Sequence, residues 1–284
     1  MRMIDQKDEE CYCSFVNTIS IIQGRLSPSL EGRFQFFPST WMDEFPLAKE
    51  MGFNAIDWFL DRGIAKFDPI HDVWAKQEVL KDIDQARTIL PISSIDCGPY
   101  SLFGEAGKTS LADFLTLLPA LIPRLESKII TIPLVEECAP KTEEQKREAH
   151  ETLRQITELA HSLGARIALE TELPAEELAS FIDSFNSPAI GVCYDTGNTT
   201  TFGFDCPNEI RTLNEKIFSV HLKDRKVGST QSLLLGTGDV AFDECFRALK
   251  EIHFTGPYTL QAWRGEDYLQ DAKDQLAFVK TKLT

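Results

Sequence analysis

Short, almost uniformly apolar runs recur along the chain, separated by longer segments in which apolar residues return every three or four positions. The apolar runs occupy residues 18–24 (TISIIQG), 54–60 (NAIDWFL), 91–97 (PISSIDC), 128–135 (KIITIPLV), 166–171 (RIALET), 190–196 (IGVCYDT), 217–224 (IFSVHLKD) and 258–263 (YTLQAW). Their length and β-branched content predict eight strands. Strands without a wet face pack in a parallel sheet covered by helices. The intervening segments supply those helices. Residues 40–52 close on Gly52, a stop signal, and residues 142–164 open on Thr142 as cap and stop at Gly164. Further helical spacing marks 110–125, 174–185, 241–252 and 266–283.

Eight strand–helix units predict a closed (β/α)8 TIM barrel, an α/β fold in a single domain over residues 1–284, with residues 1–16 as a peripheral N-terminal extension. An open doubly wound sheet is the alternative, but no GxGxxG or GxxxxGK[ST] turn follows any strand. The length of 284 residues suits one barrel, which needs about 250.

Charge narrows the partners. A net charge of -15 and a pI near 4.8 oppose binding to nucleic acid or an anionic lipid surface. No apolar run approaches the roughly 18 residues of a membrane span, and MRMIDQKDEECYC lacks a signal-peptide core, so a soluble cytoplasmic protein is expected. The seven cysteines are scattered and odd in number, as expected of reduced thiols. The CxC of Cys11 and Cys13 has no second pair and is not read as a metal site.

In such a barrel the site lies at the C-terminal ends of the strands. Those ends carry Gln23 and Arg25; Asp57, Trp58 and Asp61; Asp96 and Tyr100; Glu136 and Glu137; Glu170; Asp195 and Asn198; His221, Lys223 and Asp224; Gln261 and Arg264. Glu170, Asp195, His221 and Gln261, on four consecutive strands, offer two carboxylates, an imidazole and an amide oxygen. That set suits a divalent Mn, Mg, Co or Zn ion with positions open for water or substrate. Arg25, Lys223, Arg225 and Arg264 are candidates to clamp a substrate phosphate or carboxylate, or to salt-bridge within an acidic mouth. Trp58, Tyr100 and Trp263 either wall the substrate or pack in the core.

The segments IIQGRLSP, GFNAIDW, IALET, VCYDTGN, VHLKDR and GTGDVAFDECFRALKEIHFTGPYTLQ together resemble the xylose isomerase-like TIM barrels, over nearly the whole chain. That superfamily includes sugar isomerases and epimerases, inosose dehydratases and the family 2 apurinic endonucleases. The resemblance implies a metal-dependent sugar or sugar-phosphate isomerase/epimerase. Glu170 becomes both ligand and catalytic base, Asp195 and His221 become ligands, and Asn198 takes a position that is usually a substrate-touching histidine. The fourth ligand is usually a glutamate serving as second base, and here it is Gln261.

An amide cannot accept a proton at physiological pH, so a two-base epimerisation loses one base. One base suffices for aldose–ketose isomerisation through an enediol, which is the favoured expectation; Asp96, Asp224 or Glu136 could supply a second acid. A metal-dependent lyase or dehydratase, or a non-catalytic sugar-binding barrel, remain alternatives. The endonuclease branch uses a histidine-rich trinuclear zinc site, which five histidines and an acidic chain do not favour. By analogy with such barrels, a homodimer is expected.

Overall fold

The computed structural model describes residues 17–30, 33–61, 77–98 and 100–283. The expected extension at 1–16, with Cys11 and Cys13, lies outside the described residues. Eight parallel strands close into a barrel in chain order: β1 (Ile19–Ile22), β2 (Ala55–Leu60), β3 (Ile92–Cys97), β4 (Ile129–Leu134), β5 (Arg166–Thr171), β6 (Ile190–Asp195), β7 (Ile217–Leu222) and β8 (Tyr258–Leu260). Closure is made by β8 on β1, with Ile19, Ser20 and Ile21 opposite Tyr258, Thr259 and Leu260. A hydrogen bond of 2.8 Å between the Ser20 and Thr259 hydroxyls ties the seam inside.

The helices are α1 (Trp41–Met51), α2 (Gln77–Ile89), α3 (Gly104–Leu125), α4 (Glu143–Ser162), α5 (Ala175–Asp183), α6 (Thr196–Thr201), α7 (Cys206–Leu213), α8 (Phe242–Glu251) and α9 (Tyr268–Lys282). The expected stop at Gly52 is real, with φ of 93°. Thr142 caps α4 in a capping box, its hydroxyl accepting from Gln145 N while the Gln145 side chain accepts from Thr142 N. Helices α2, α6 and α7 go beyond the sequence expectation.

The outward faces of the strands pack on the helices in one large apolar core that includes Ile56, Trp58, Leu60, Ile95, Ile130, Leu169, Val192, Val220 and Leu260. A separate small cluster of Ile129, Ala168, Cys193 and Phe218 lies on β4 to β7. Ala168 and Cys193 stand two residues before Glu170 and Asp195, so this cluster is the layer beneath them. No helix among the described residues is long and apolar enough to cross a membrane.

Candidate active site

Glu170, one residue from the end of β5, reaches the barrel mouth buried to 4 % exposure. Its Oε1 accepts from Asn198 Nδ2, and its Oε2 lies 3.3 Å from His221 Nδ1. Asn198 is placed by its neighbour: Asp195 ends β6 and caps α6, its Oδ1 accepting from Asn198 N at 2.8 Å. Arg225 Nη1 donates to Asn198 Oδ1 at 2.7 Å, completing a relay from cation to amide to carboxylate.

The other Asp195 oxygen pairs with Lys223 Nζ at 2.9 Å. Gly197 makes room for that lysine, since a Cβ there would stand 2.9 Å from Lys223 Cγ. Burial opposes ionisation of Asp195, yet Lys223, His221 and Arg225 overcome it and hold the carboxyl below its usual range.

His221, fully buried, stands between two carboxylates. Opposite Glu170, its Nε2 faces Asp57 Oδ2 at 3.6 Å. Asp57 lies two residues before Phe59, a cavity-lining residue, and so on the same strand face one layer deeper. Burial alone would lower the imidazole pKa; Cys193, Asp57 and Glu170 outweigh it and raise it well above the usual value. Asp96 of β3 is likewise buried, and its pKa is pushed well up by burial and then by Asp57 and Glu170, against the pull of His221 and Lys223.

Gln261, just past β8, donates through Nε2 to Asp96 Oδ2 and to Gln35 Oε1, both at 3.2 Å. Gln35 in turn donates to Asp96 Oδ2 at 3.4 Å. These groups open on a cavity of about 360 Å³ whose lining includes Phe34, Gln35, Phe59, Asp96, Glu136, Glu170, Asn198, Phe202, Lys223, Arg225 and Gln261. That volume matches a small ligand such as a sugar.

The residues fit a divalent cation. Both His221 nitrogens and Gln261 Oε1 are buried without a hydrogen-bond partner. Among the described residues, two groups offer ligand atoms within 4.8 Å of one another: Glu170, Cys193 and His221, and Asp57, Asp96 and His221. Of the four expected ligands, Glu170 and His221 therefore converge. Asp195 is engaged by Lys223, and Gln261 turns its amino group to Asp96.

Several residues expected to contact substrate have other partners in the structure. Trp58 is fully buried against Phe37 and Trp41, with ring centroids 5.2 and 5.3 Å away, and Tyr100 is fully buried on Phe114 at 4.6 Å. Both pack in the core. Arg25 spends its guanidinium on the carbonyls of Ala262, Phe34 and Gln261, and Arg264 on Ser27 O, bracing strand eight against the loop after β1. Asp224 accepts from the backbone N–H groups of Gly236, Gly238 and Val240 and so holds the GTG loop. Lys223, Arg225 and Asn198 do line the cavity. Sequence reasoning missed Arg33, Phe34 and Gln35 at the mouth, which lie far along the β1–α1 segment, away from the end of the strand. It also missed the partnership of Asp57 with His221, although an acid inside the apolar run AIDWFL was the visible signal.

The chain matches the xylose isomerase-like TIM barrel family over residues 45–282. It is 22% identical over 259 residues to the L-ribulose-5-phosphate 3-epimerase of Escherichia coli K12, covering 86% of this chain and 90% of that one. Among solved structures, 3-keto-D-glucoside 4-epimerase from E. coli superposes with a TM-score of 0.72 at 18% identity, covering 94% of this chain and 100% of that one. The IolI protein with a bound zinc atom gives a TM-score of 0.74 at 18% identity, covering 94% and 99%.

Proposed function

The chain belongs to the xylose isomerase-like TIM barrel family, and from that premise we propose that it is a sugar or sugar-phosphate isomerase/epimerase, with Glu170 as its base. The observation that carries this reading is the held carboxylate of Glu170: one oxygen bound by Asn198, the other against His221, facing a cavity of sugar size. The E. coli relatives, whose names specify epimerisation of a ketose phosphate and of a keto-glucoside, support the substrate class.

Glu170 takes a proton from the carbon beside the substrate carbonyl. The C–H electron pair forms the carbon–carbon double bond of an enediolate, and the former carbonyl oxygen takes the negative charge. Returned by Glu170 to the former carbonyl carbon, while the hydroxyl proton on the adjacent carbon passes to the enediolate oxygen and a new carbonyl forms there, the proton completes an isomerisation. If Glu170 keeps that proton and a second acid donates its own to the opposite face of the same carbon, the carbonyl re-forms and the result is an epimerisation, with Asp96, which accepts from the Gln261 amide and lines the cavity, as the carboxyl for that role. Arg225 offers a cationic contact to an anionic substrate at the mouth, beside the Lys223–Asp195 pair. Glu170, Asp195, His221 and Gln261 would hold a divalent cation, which when bound supplies Lewis acidity to the carbonyl oxygen and charge stabilisation to the enediolate.

The test is solvent deuterium exchange. Incubated with ketopentoses, ketohexoses and their phosphates in D2O with Mn2+, the protein incorporates deuterium beside the carbonyl of its substrate. The Glu170→Gln variant loses that incorporation by about 10²-fold or more. Unchanged turnover in the variant removes Glu170 from the base role. Tight sugar binding without any exchange in the wild type establishes the binding-only reading, which the amide at Gln261 favours.

A further inference from the structure

The imidazole of His221 has two sides, and the chemistry on the side away from Glu170 is unaccounted for by the reading above. There, Asp57 and Asp96 are 0 % and 2 % exposed, deep in the barrel. Neither oxygen of Asp57 has a hydrogen-bond partner, and neither does His221 Nε2, which faces Asp57 at 3.6 Å. The contacts to Asp96 come from two neutral amides, Gln261 and Gln35, which converge on one oxygen and orient the carboxyl. The nearby Lys223 is spent on Asp195 at 2.9 Å, and Arg33 on Asp61 at 2.9 Å. Two carboxyl groups thus share a buried space without a salt-bridged lysine or arginine among the described residues, an arrangement that costs several kcal/mol unless protons or a cation offset it.

We propose that Asp57, Asp96 and His221 form a second divalent-cation position, on the β2–β3 side of the imidazole. Their ligand atoms lie within 4.8 Å of one another, a spread that an ion with bonds of about 2.0–2.4 Å spans. Two carboxylates neutralise a divalent charge, and all three donors are oxygen or nitrogen. The Glu170 side offers instead Cys193, a softer sulfur donor.

The acid absent from position 261 is then present at position 96, across one hydrogen bond from it. Gln261 acts as a positioning residue for Asp96. The imidazole serves one position at a time. With Nε2 on the ion, Nδ1–H donates to Glu170, so the carboxylate that is a ligand in one arrangement orients the ring in the other.

The proposal rests on the cation of the functional reading and not on its proton chemistry, so its test is binding. Metal-stripped protein is titrated with MnCl2 by electron paramagnetic resonance, and a crystal soaked in MnCl2 is measured for anomalous scattering. Expected are a manganese peak within bonding distance of Asp57 and Asp96, and at least a tenfold loss of Mn2+ affinity in Asp96→Asn. Glu170→Gln, which keeps a hydrogen-bond acceptor for the ring, retains that peak. Circular dichroism verifies folding of each variant. Asp57→Asn alone does not discriminate, because a ring-orienting carboxylate also costs about 10–100-fold in affinity when lost; the peak position and Asp96→Asn decide. A peak confined to Glu170 and Asp195, or an Asp96→Asn affinity equal to wild type, overturns the second position and leaves the isomerase/epimerase reading intact. Failure of deuterium exchange with the manganese peak in place does the converse.

Discussion

Lys223 holds the charge balance of the site at the level of single residues. Asp195 and Lys223 are both nearly fully buried, and each is the other's ion-pair partner. Removing one member of a buried pair strands the other charge, at about 3–5 kcal/mol. Lys223→Met is therefore expected to destabilise the protein by about 3 kcal/mol in urea unfolding, and adding Asp195→Asn to recover most of that loss. The places of Glu170, Asp195, His221 and Gln261 at the barrel mouth were legible because each stands at or within one residue of the end of a mostly apolar strand, so a polar type there stands out. What ran against the expectation was pairing. Nothing in the order of residues says that Arg25 and Arg264 spend their charge on carbonyls, or that Asp57 lies under His221. Those facts depend on which strands become neighbours and how deep in the barrel each side chain lies.

At the scale of elements, the segment between β1 and α1 forms part of the mouth and is anchored by one acid of α1. Glu44 accepts from the N–H groups of Gly24 and Leu26 at 3.0 Å and from the Ser27 hydroxyl at 2.9 Å. Gly24 has φ of 84°, and a Cβ there would lie 2.5 Å from Phe36 O, so the turn admits no side chain. Burial pushes the Glu44 carboxyl up from 4.5 to about 7, against the hydrogen bonds of Gly24, Ser27 and Leu26. The folded protein thus holds this proton more tightly than the unfolded chain. That stabilisation is fully present below about pH 4.5 and is lost as pH rises through about 7. Denaturation at pH 4.5, 6 and 8 should show the stability of wild type relative to Glu44→Gln falling by up to about 3 kcal/mol. A flat difference shows that Glu44 stays ionised throughout. The helices that the apolar periodicity left out have physical reasons of their own. In α6 (TGNTTT) no apolar face exists; Asp195 caps it, and Thr199, Thr200 and Thr201 bond back to carbonyls four residues earlier. Helix α7 is eight residues long, too short for a period to repeat, though its Asp205 cap followed by Pro207 was a readable start.

For the whole molecule, the net charge of -15 surrounds a mouth in which Arg33 and Lys223 are paired with Asp61 and Asp195, while Arg225 donates to the neutral Asn198. A sugar phosphate approaching from solvent meets the long-range field before it meets Arg225. Screening shortens that field from about 30 Å at 0.01 M salt to about 8 Å at 0.15 M. For a phosphorylated substrate kcat/KM should rise over that range, and for a neutral sugar it should stay level. A fall for the phosphorylated substrate would show that the local cations dominate capture. The alternation of strand and helix made the barrel readable from sequence, because eight buried strands have few other ways to cover both faces. Closure of that barrel pairs residues 19–21 with residues 258–260, nearly the full length of the chain apart. During synthesis the edges of β1 and β7 therefore wait unpaired until the last strand leaves the ribosome, and Gln261 emerges only after it. A nascent chain cut short before residue 258 has open edges that invite aggregation. It can have no finished mouth, so the cell meets this protein either whole or inactive.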